Sequence, residues 1–523
     1  MVAVARSPLR IESWSGPVPR WLVSAVALDL RGLSVLRMGL GAILLWDLAV
    51  RALALSAHYT DAGLLPRRVR MGLIWDYNEP WWMSLHMLSG EVWWQGVLFA
   101  AAAVAAVMLA AGYRTRWATI ASWLLLLSLH GRNPLLLQGG DVLLRCLLFW
   151  SMFVPLGARW GVDAWLAKRR GHQIGAPTSD PEIASAGTAA IIIQLACMYA
   201  FTALLKTSPA WRSDFSAVHY ALSIDHYTSR LGYELLRYPR LLATLTAGSW
   251  VLEGAGPLLL LSPIGRRWVR TIVPLAMIGF HLGLALAMTL GTFPWICIAA
   301  WAALLPRPVW DALDRHLAPR NAAGSRSEAT RWTGSLVGNT AIACLLALVV
   351  VLNVKRLFNP LATVGGYPIG RTIQAAGLWQ YWNMFSPGPY EYGGWLRIEG
   401  QTADGRLVNL YQPDQPLPDA KPPLVSTMYP TQHWRRSIVT LWEYAEPSYR
   451  ESVLRFFVRQ WNEAHDTGEE VVQARLVQVI VPTQPPGSTA LAPPERLFLA
   501  EWPEVGNNRP PAGRINSAGS AGP

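Results

Sequence analysis

Lys206 stands at the end of an apolar stretch, in the segment CMYAFTALLKTSPAW of residues 197–211. The chain has 45 basic residues, and only four are lysine: Lys168, Lys206, Lys355 and Lys421. Arginine stays protonated, whereas a lysine in apolar surroundings can lose its proton. A site that alternates between amine and ammonium therefore requires lysine, which makes Lys206 a candidate general base. The competing interpretation is an anchor whose ammonium reaches the lipid headgroups.

Other ionisable residues also lie within apolar stretches, where a charge is costly unless it is paired or functional. Asp47 and Arg51 are spaced i,i+4, and this spacing predicts a local or interhelical ion pair. Asp141 and Arg145 repeat the spacing and receive the same interpretation.

For four further polar residues in these stretches, the neighbouring sequence gives less indication of a partner. Arg37 is expected to pair with Glu253 across two helices. His281 is either a hydrogen-bonded core histidine or a polar partner of Lys206. His130 lies at the end of an apolar stretch and is expected to be solvated.

The composition indicates a polytopic membrane protein. Of 523 residues, 52% are apolar and only 15% are charged, and the mean hydropathy is +0.24. Soluble domains carry about 25% charged residues. The net charge of +12 does not indicate nucleic-acid binding, because the arginines lie in short loops between apolar stretches. The four cysteines lie inside apolar stretches without disulfide or metal-site spacing, so no metal is expected.

Nine stretches are long and apolar enough to predict membrane spans; they are residues 32–54, 92–112, 117–131, 141–157, 186–206, 241–262, 271–290, 292–306 and 334–354. The arginine-rich loops place the N-terminal segment 1–31 in the cytoplasm. Nine spans from an inner N-terminus place everything after Lys355 outside. The membrane domain is then residues 32–354, embedded in the lipid bilayer.

Two predicted outer loops, residues 58–94 and 211–239, are rich in aromatic residues. They are predicted to be amphipathic helices at the headgroups or a roof over a cavity. Residues 360–500 have a different composition and predict a small extracytoplasmic α+β domain. Its hairpin turns at Asp404-Gly405 within 393–413, a helix occupies 447–468 and ends at Gly468, and a strand occupies 470–483. The tail 506–523 is predicted to be disordered.

Six segments together resemble one family. They are LSVLRMGLGAILLWDL followed by HYTDAGLLPR, AAGYRTRWATI, RNPLLLQGGDVLLR followed by PLGARWGVD, YAFTALLKTSPAW, FHLGLALAMTLGTFPW, and WQYWNMFSPGP followed by GGWLRIEGQTADG. Their order resembles the horizontally transferred transmembrane domain (HTTM) family, the bacterial relatives of vitamin K-dependent gamma-carboxylase. The resemblance covers about residues 30–410. It implies a multi-pass protein of the bacterial inner membrane.

The resemblance also implies a chemistry. The position of Lys206 is similar to that of the carboxylase lysine that deprotonates reduced vitamin K, and His281 matches a histidine that is important there. The implied cofactor is a reduced isoprenoid quinone, vitamin K or a menaquinol, and the implied partner is a protein or peptide substrate. Two departures are evident: Pro134 stands where the carboxylase has a histidine, and the outer domain is too short for propeptide binding. A quinol-coupled carboxylase-like enzyme and a non-catalytic scaffold, binding protein or transporter therefore both remain open.

Overall fold

The structure, a computed structural model, describes residues 18–73, 81–170, 182–261, 266–317, 330, 332–359, 367–443, 446–488 and 493–503. It is mostly helical, with one small sheet toward the C-terminal end. Most of the predicted cytoplasmic segment 1–31, namely residues 1–17, and the whole predicted tail 506–523 lie outside the described residues. The disorder of the tail therefore stays a prediction.

The helices of the first two thirds of the chain are α1 (Arg20–Val26), α2 (Leu30–Ala52), α3 (Leu55–Tyr59), α4 (Arg67–Gly72), α5 (Val92–Ala111), α6 (Thr115–Arg132), α7 (Gly139–Ser151), α8 (Val162–Arg169), α9 (Ala186–Leu205), α10 (Pro209–Arg212), α11 (Ala217–Leu222), α12 (Arg230–Leu235), α13 (Pro239–Leu261), α14 (Arg266–Ala287), α15 (Phe293–Ala303), α16 (Arg307–Leu317) and α17 (Leu336–Phe358). Short 3-10 turns occur at Trp81–Met83, Leu85–Met87 and Pro134–Leu136.

Each of the nine predicted spans coincides with a helix, but only some are long and apolar enough to cross a bilayer. Among the described residues, five helices meet that standard: α2, α5, α9, α14 from Trp268 onward, and α17. The pair α15 and α16, bent by 93° at a short break, gives a sixth if it is one broken span. Two predicted spans correspond to short helices, because α7 has 13 residues and α15 by itself has 11.

These helices pack into one bundle with a shared apolar core. α2 contacts α5 and α15, while α9 contacts α13, α17 and α7. The two-residue strands β1 (Leu28–Asp29) and β2 (Glu182–Ile183) pair just before α2 and α9 begin. Because this pairing brings the starts of α2 and α9 together, both helices end at the opposite end of the bundle, and the C-terminal domain packs there.

The C-terminal domain combines a four-stranded antiparallel sheet with three helices, which agrees with the predicted α+β class, although the sequence predicted only three strands and one helix. Its elements are α18 (Tyr367–Ala375), β3 (Tyr392–Thr402), β4 (Leu407–Asn409), α19 (Gln432–Glu443), α20 (Pro447–Ala464), β5 (Val471–Pro482) and β6 (Glu495–Trp502), with a 3-10 turn at Val425–Met428. The strand order is β4-β3-β5-β6. The predicted hairpin is confirmed, since β3 and β4 pair in antiparallel orientation on either side of Gly405, which has φ +87°. The predicted helix ends at Ala464, four residues before Gly468.

The two aromatic segments are broken into short helices that lie between the bundle and the C-terminal domain. Segment 58–94 contains part of α3, α4 and two 3-10 turns, and segment 211–239 contains α11 and α12. Residues 74–80 lie outside the described part. α20 contacts α4, and His219 Nε2 lies 3.0 Å from the carbonyl oxygen of Gln484. The segments therefore join the two domains.

The chain between α18 and β3 extends into the bundle. Leu378 and Trp382 belong to the core that α7 and α9 form, and both are almost fully buried. Gln194 of α9 donates to Gln380 Oε1 over 2.7 Å, and the Trp382 indole donates to the same oxygen over 2.6 Å. This insertion, residues 377–387, fills the bundle interior next to Lys206.

Candidate functional site

α9 carries the predicted site residue at its end. The helix begins at a capping box, in which Ser185 accepts from the Thr188 backbone N–H. It ends before Lys206, whose φ of −73° and ψ of 80° leave the helix. Tyr199 and Lys206 are seven residues apart, so they lie on the same face of the helix axis. The sequence therefore directs two polar groups of α9 toward one region of the bundle.

Lys206 is buried, with 2% of its surface exposed. Its Nζ forms an ion pair with Glu253 Oε2 on α13, and it lies 3.8 Å from the centre of the Trp211 ring. Glu253 follows the start of α13 by fourteen residues, so the pair lies well inside the bundle. An anchor that reaches the headgroups would be exposed, and the observed burial contradicts that interpretation.

The Trp211 ring is held by the insertion. Its indole Nε1–H donates to the carbonyl oxygen of Phe385 over 2.9 Å, and the Ser208 N–H donates to the carbonyl oxygen of Pro387 over 3.0 Å. Phe385 has φ +53°, in the left-handed region that side chains other than glycine rarely adopt. Such strain persists where the surrounding structure fixes it. The hydrogen bonds of Phe385 and Pro387 therefore fix the insertion against Trp211, the residue whose ring lies on Lys206.

His281 of α14 is fully buried in a separate hydrogen-bonded group. Its Nε2 lies 2.5 Å from the Tyr199 hydroxyl, which also accepts from the Trp301 indole over 3.0 Å. The Phe293 ring lies 5.6 Å from the imidazole. Among the described residues, His281 Nδ1 has no hydrogen-bond partner. His281 is therefore a hydrogen-bonded core histidine with one nitrogen to spare.

Lys206 and His281 lie in two groups that share helix α9, because Tyr199 of α9 contacts His281 and Lys206 follows the end of the same helix. Glu253 of α13 holds Lys206. The arrangement offers an amine, a carboxylate and a phenol in a region from which water is excluded, and these groups can exchange protons with a bound hydroxyl compound.

A second buried cluster lies at the same end of the bundle. Arg51 donates to Asp47 over 2.6 Å, to the Tyr59 hydroxyl over 2.8 Å and to Asp141 over 2.5 Å. The predicted pair of Asp47 and Arg51 is thus confirmed and extended. His433 of α19 lies 3.1 Å from Asp47 through its Nε2. The cluster therefore joins the C-terminal domain to the bundle.

Two expectations about polar residues are corrected. The Arg37 guanidinium donates to the carbonyl oxygens of Leu109 and Trp160, whereas Glu253 pairs with Lys206. Predicting the partner of Glu253 requires knowing that α13 packs on α9, which the sequence does not state.

His130 is fully buried, contrary to the expected solvation, with its Nε2 3.6 Å from Asp141. Arg145 donates to the carbonyl oxygens of Gly377 and Trp379, while Asp141 binds Arg51 on another helix. The i,i+4 spacing predicted a local or interhelical ion pair, and Asp141 forms one with Arg51 of α2.

Sequence reasoning missed His433 and His58. His433 is fully buried beside Arg51. Burial lowers the pKa of its imidazole below the ordinary value, and the positive charge of Arg51 lowers it further. Burial also lowers the pKa of His58 to about 3. The His58 ring lies 4.8 Å from that of Trp434. One sequence signal could have identified His433: it lies next to Trp434 in the segment TQHWRRSIVTLW, whose pattern is that of an amphipathic helix.

No family model, no curated protein and no solved structure matches the chain. Within the described ranges, no group of three or more His, Cys, Asp or Glu side chains has the arrangement of a metal site.

Proposed function

We propose that this chain is a membrane-embedded, quinol-coupled enzyme of the carboxylase-like type that the HTTM resemblance implies, with Lys206 as its general base. The observation that carries the proposal is the burial of Lys206 against Glu253 and Trp211. Burial favours the neutral amine, whereas the Glu253 carboxylate favours the ammonium and at the same time is an acceptor to which the proton could pass.

The proposed proton transfer uses the ion pair itself. Glu253 Oε2 takes a proton from the Lys206 ammonium, which leaves a neutral amine and a neutral carboxylic acid. Because both charges disappear together, the step avoids an unpaired charge in the apolar interior. The Lys206 amine then accepts a proton from a hydroxyl group of the bound substrate. His281, which contacts the Tyr199 hydroxyl, would be a polar partner in this reaction.

The proposed cofactor is a reduced isoprenoid quinone, and the aromatic residues beside Lys206 support it. Trp211 packs in an aromatic cluster with Tyr220, Trp250 and Phe385, which gives apolar walls beside the amine. These residues would hold the quinol ring, and the Lys206 Nζ would face its hydroxyl. When bound, the quinol would supply the acidic hydroxyl and the reducing electrons.

The proposal includes the topology predicted from the arginine distribution. The chain would cross a bacterial inner membrane about nine times, with the N-terminus in the cytoplasm and the C-terminal domain outside. The end of the bundle that carries Lys206 and the C-terminal domain would then face the outer side. A protein or peptide substrate would approach from that side.

Activity measurements on Lys206 variants test the base. The assays are quinol-dependent oxygen uptake and carbon dioxide incorporation into membrane proteins. Lys206→Arg is expected to abolish activity as fully as Lys206→Ala while the protein stays folded, because arginine keeps its proton. Lys168→Arg is the matched control, since Lys168 is an exposed lysine on α8. Full activity of Lys206→Arg would overturn the assignment.

A non-catalytic scaffold, binding protein or transporter is the second candidate function. The observation that favours it is the same ion pair, because Lys206 and Glu253 satisfy each other without any substrate. Under this alternative, wild-type protein shows neither activity with any of several quinols. Lys206→Arg would then retain the thermal stability of the wild type.

A further inference from the structure

A surface rich in arginine and tryptophan lies at the end of the bundle opposite the C-terminal domain. It is formed by the start of α6, by α8 and by the loop that precedes α8. The Ser34 hydroxyl, near the start of α2, donates to the carbonyl oxygen of Arg159 in this loop over 2.9 Å. Eight exposed residues form this basic surface: Arg114, Arg116, Arg159, Lys168, Arg169, Trp117, Trp160 and Trp165.

The five cations of the basic surface are not neutralised by a local carboxylate. Asp163 is the one acidic residue within 112–117 and 157–170. Its carboxylate accepts from the backbone N–H groups of Arg114 and Thr115 over 2.8 Å each, and also from the Thr115 hydroxyl. Asp163 therefore caps the start of α6, and none of the five cations forms a salt bridge within the described part of the chain.

The nearest helix with further carboxylates is α16, and its charges are already paired. The Trp310 ring of α16 lies 6.1 Å from the Trp160 ring. Asp311 and Asp314 follow on the same helix, and both bind Arg31, over 2.8 Å and 2.5 Å. The basic surface therefore keeps a net positive charge that the described residues do not balance.

Two residues of the basic surface have a backbone conformation that usually requires glycine. Arg114 has φ +43° and Trp160 has φ +46°, both in the left-handed region. The buried Arg37 guanidinium fixes this backbone, because it donates to the carbonyl oxygens of Leu109 and Trp160. Strain of this kind is typical of sites where a side chain is needed. The fold thus holds an exposed arginine and an exposed tryptophan at positions where glycine would be less strained.

The tryptophans indicate which kind of anion the basic surface fits. Trp117 is 68% exposed, and the Arg169 guanidinium carbon lies 3.9 Å from the centre of the Trp165 ring. Tryptophan favours the headgroup level of a bilayer, and clustered arginines attract anionic headgroups. A soluble anion would be held by the cations alone, whereas the exposed rings favour a ligand that also has apolar chains.

We propose that the basic surface binds the headgroup of an anionic phospholipid such as phosphatidylglycerol. The arginines would contact the phosphate, and the tryptophan rings would pack beside the glycerol and the upper part of the acyl chains. α8 would then lie along the membrane surface as an interfacial helix. The proposal requires only that the apolar helices lie in a bilayer, and it does not depend on the chemistry proposed for Lys206.

Native mass spectrometry of the purified full-length protein, titrated with phosphatidylglycerol or phosphatidylcholine, tests the proposal. We expect phosphatidylglycerol to bind more tightly. A variant with Arg116→Gln, Arg159→Gln and Arg169→Gln should bind it less tightly by about fivefold for each residue, which corresponds to the contribution of about 1 kcal/mol that a basic residue makes near an anionic lipid. If this variant does not fold, Arg116→Gln and Arg169→Gln are measured singly.

The matched control changes the net charge equally in the C-terminal domain. Arg406→Gln, Arg475→Gln and Arg496→Gln replace three exposed arginines on or beside the sheet. We expect this triple variant to bind phosphatidylglycerol as tightly as the wild type does. An equal loss of affinity in the control would show that net charge, and not the basic surface, governs binding, and it would overturn the proposal.

Arg114→Gly separates lipid binding from a structural role of the same residue. Glycine relieves the left-handed backbone, so we expect a higher melting temperature in detergent together with weaker binding of phosphatidylglycerol. Equal binding of phosphatidylcholine and phosphatidylglycerol, or unchanged affinity in the folded arginine variants, would overturn the proposal. Binding of glycerol 3-phosphate as tight as that of phosphatidylglycerol would identify a soluble phosphate ligand and would also overturn it.

Discussion

Lys206 and Arg51 are both buried cations near the same end of the helix bundle, but their surroundings differ. Arg51 donates to three side chains, Asp47, Tyr59 and Asp141, on more than one element. Lys206 pairs with one carboxylate and stacks on one ring. A planar guanidinium with several fixed partners holds a structure together, whereas a single ammonium and carboxylate can exchange a proton. The comparison separates a structural cluster from a candidate reactive pair.

The largest effect is expected from removing the guanidinium. Arg51→Ala leaves Asp47 and Asp141 buried without their shared cation, and breaking such a buried pair costs about 3–5 kcal/mol. We expect a severe loss of folded protein, measured by size-exclusion chromatography in detergent. Arg51→Lys should recover only part of it, because one ammonium cannot bridge three partners. An unchanged melting temperature for Arg51→Ala would remove the distinction between the two cations.

An intermediate effect is expected from pH, since three histidines at the domain junction are buried beside cations. The pKa of His58 and of His226 is lowered to about 3, and that of His433 is lowered as well, in each case chiefly by burial. In the unfolded chain these three imidazoles take up protons near pH 6.5, whereas in the folded chain they stay neutral down to a lower pH. Their contribution to stability is therefore complete above about pH 6.5 and falls as the pH decreases toward 3.

The test measures the melting temperature between pH 7.5 and pH 4.5. Each histidine should contribute a slope of up to about 1.4 kcal/mol per pH unit in this window. His433→Gln keeps a donor for Asp47 and should flatten the profile. His465→Gln is the control, because His465 stacks on Trp461 away from the bundle. A profile that is flat in the wild type would show that the junction does not titrate.

The smallest effect is expected from an exposed ion pair between an arginine and a carboxylate. Arg455 and Glu451 pair over 2.5 Å on α20, and both side chains are largely exposed. Arg455→Ala should cost no more than about 0.5 kcal/mol, because water screens the pair. Thermal melting curves of Arg455→Ala and Arg51→Ala, recorded under the same conditions, compare the two losses of stability. Comparable losses in the two variants would mean that burial does not govern these pairs.

The sequence predicted what is encoded locally and missed what depends on neighbours. Asp47 and Arg51 lie one turn apart on one helix, so their spacing was sufficient. The apolar stretch before Lys206 correctly predicted a helix that ends next to this lysine, but it left open whether the ammonium is buried or reaches the headgroups. Glu253 was assigned to Arg37, because nothing in either segment specifies that α13 packs against α9.

Burial of single polar residues was equally hard to predict. His130 and His433 lie at element ends that look solvated in the sequence, yet segments distant in the chain cover both. His433 meets Asp47 across a sequence separation of 386 residues. The strength of an apolar stretch also did not fix the number of spans, since α7 and α15 are helical but short for crossing a bilayer.

The insertion of residues 377–387 means that the two parts of the chain are interlocked. Composition changes near residue 360, and a truncation there would appear to separate a membrane unit from an appended unit. Such a cut would remove Trp382 and Gln380 from the bundle core and the Phe385 carbonyl from Trp211. The shortened protein would lack the carbonyl group that holds the Trp211 ring against Lys206. Expression of residues 1–360 alone is therefore a poor way to study this protein, and co-expression of the two pieces is the useful alternative.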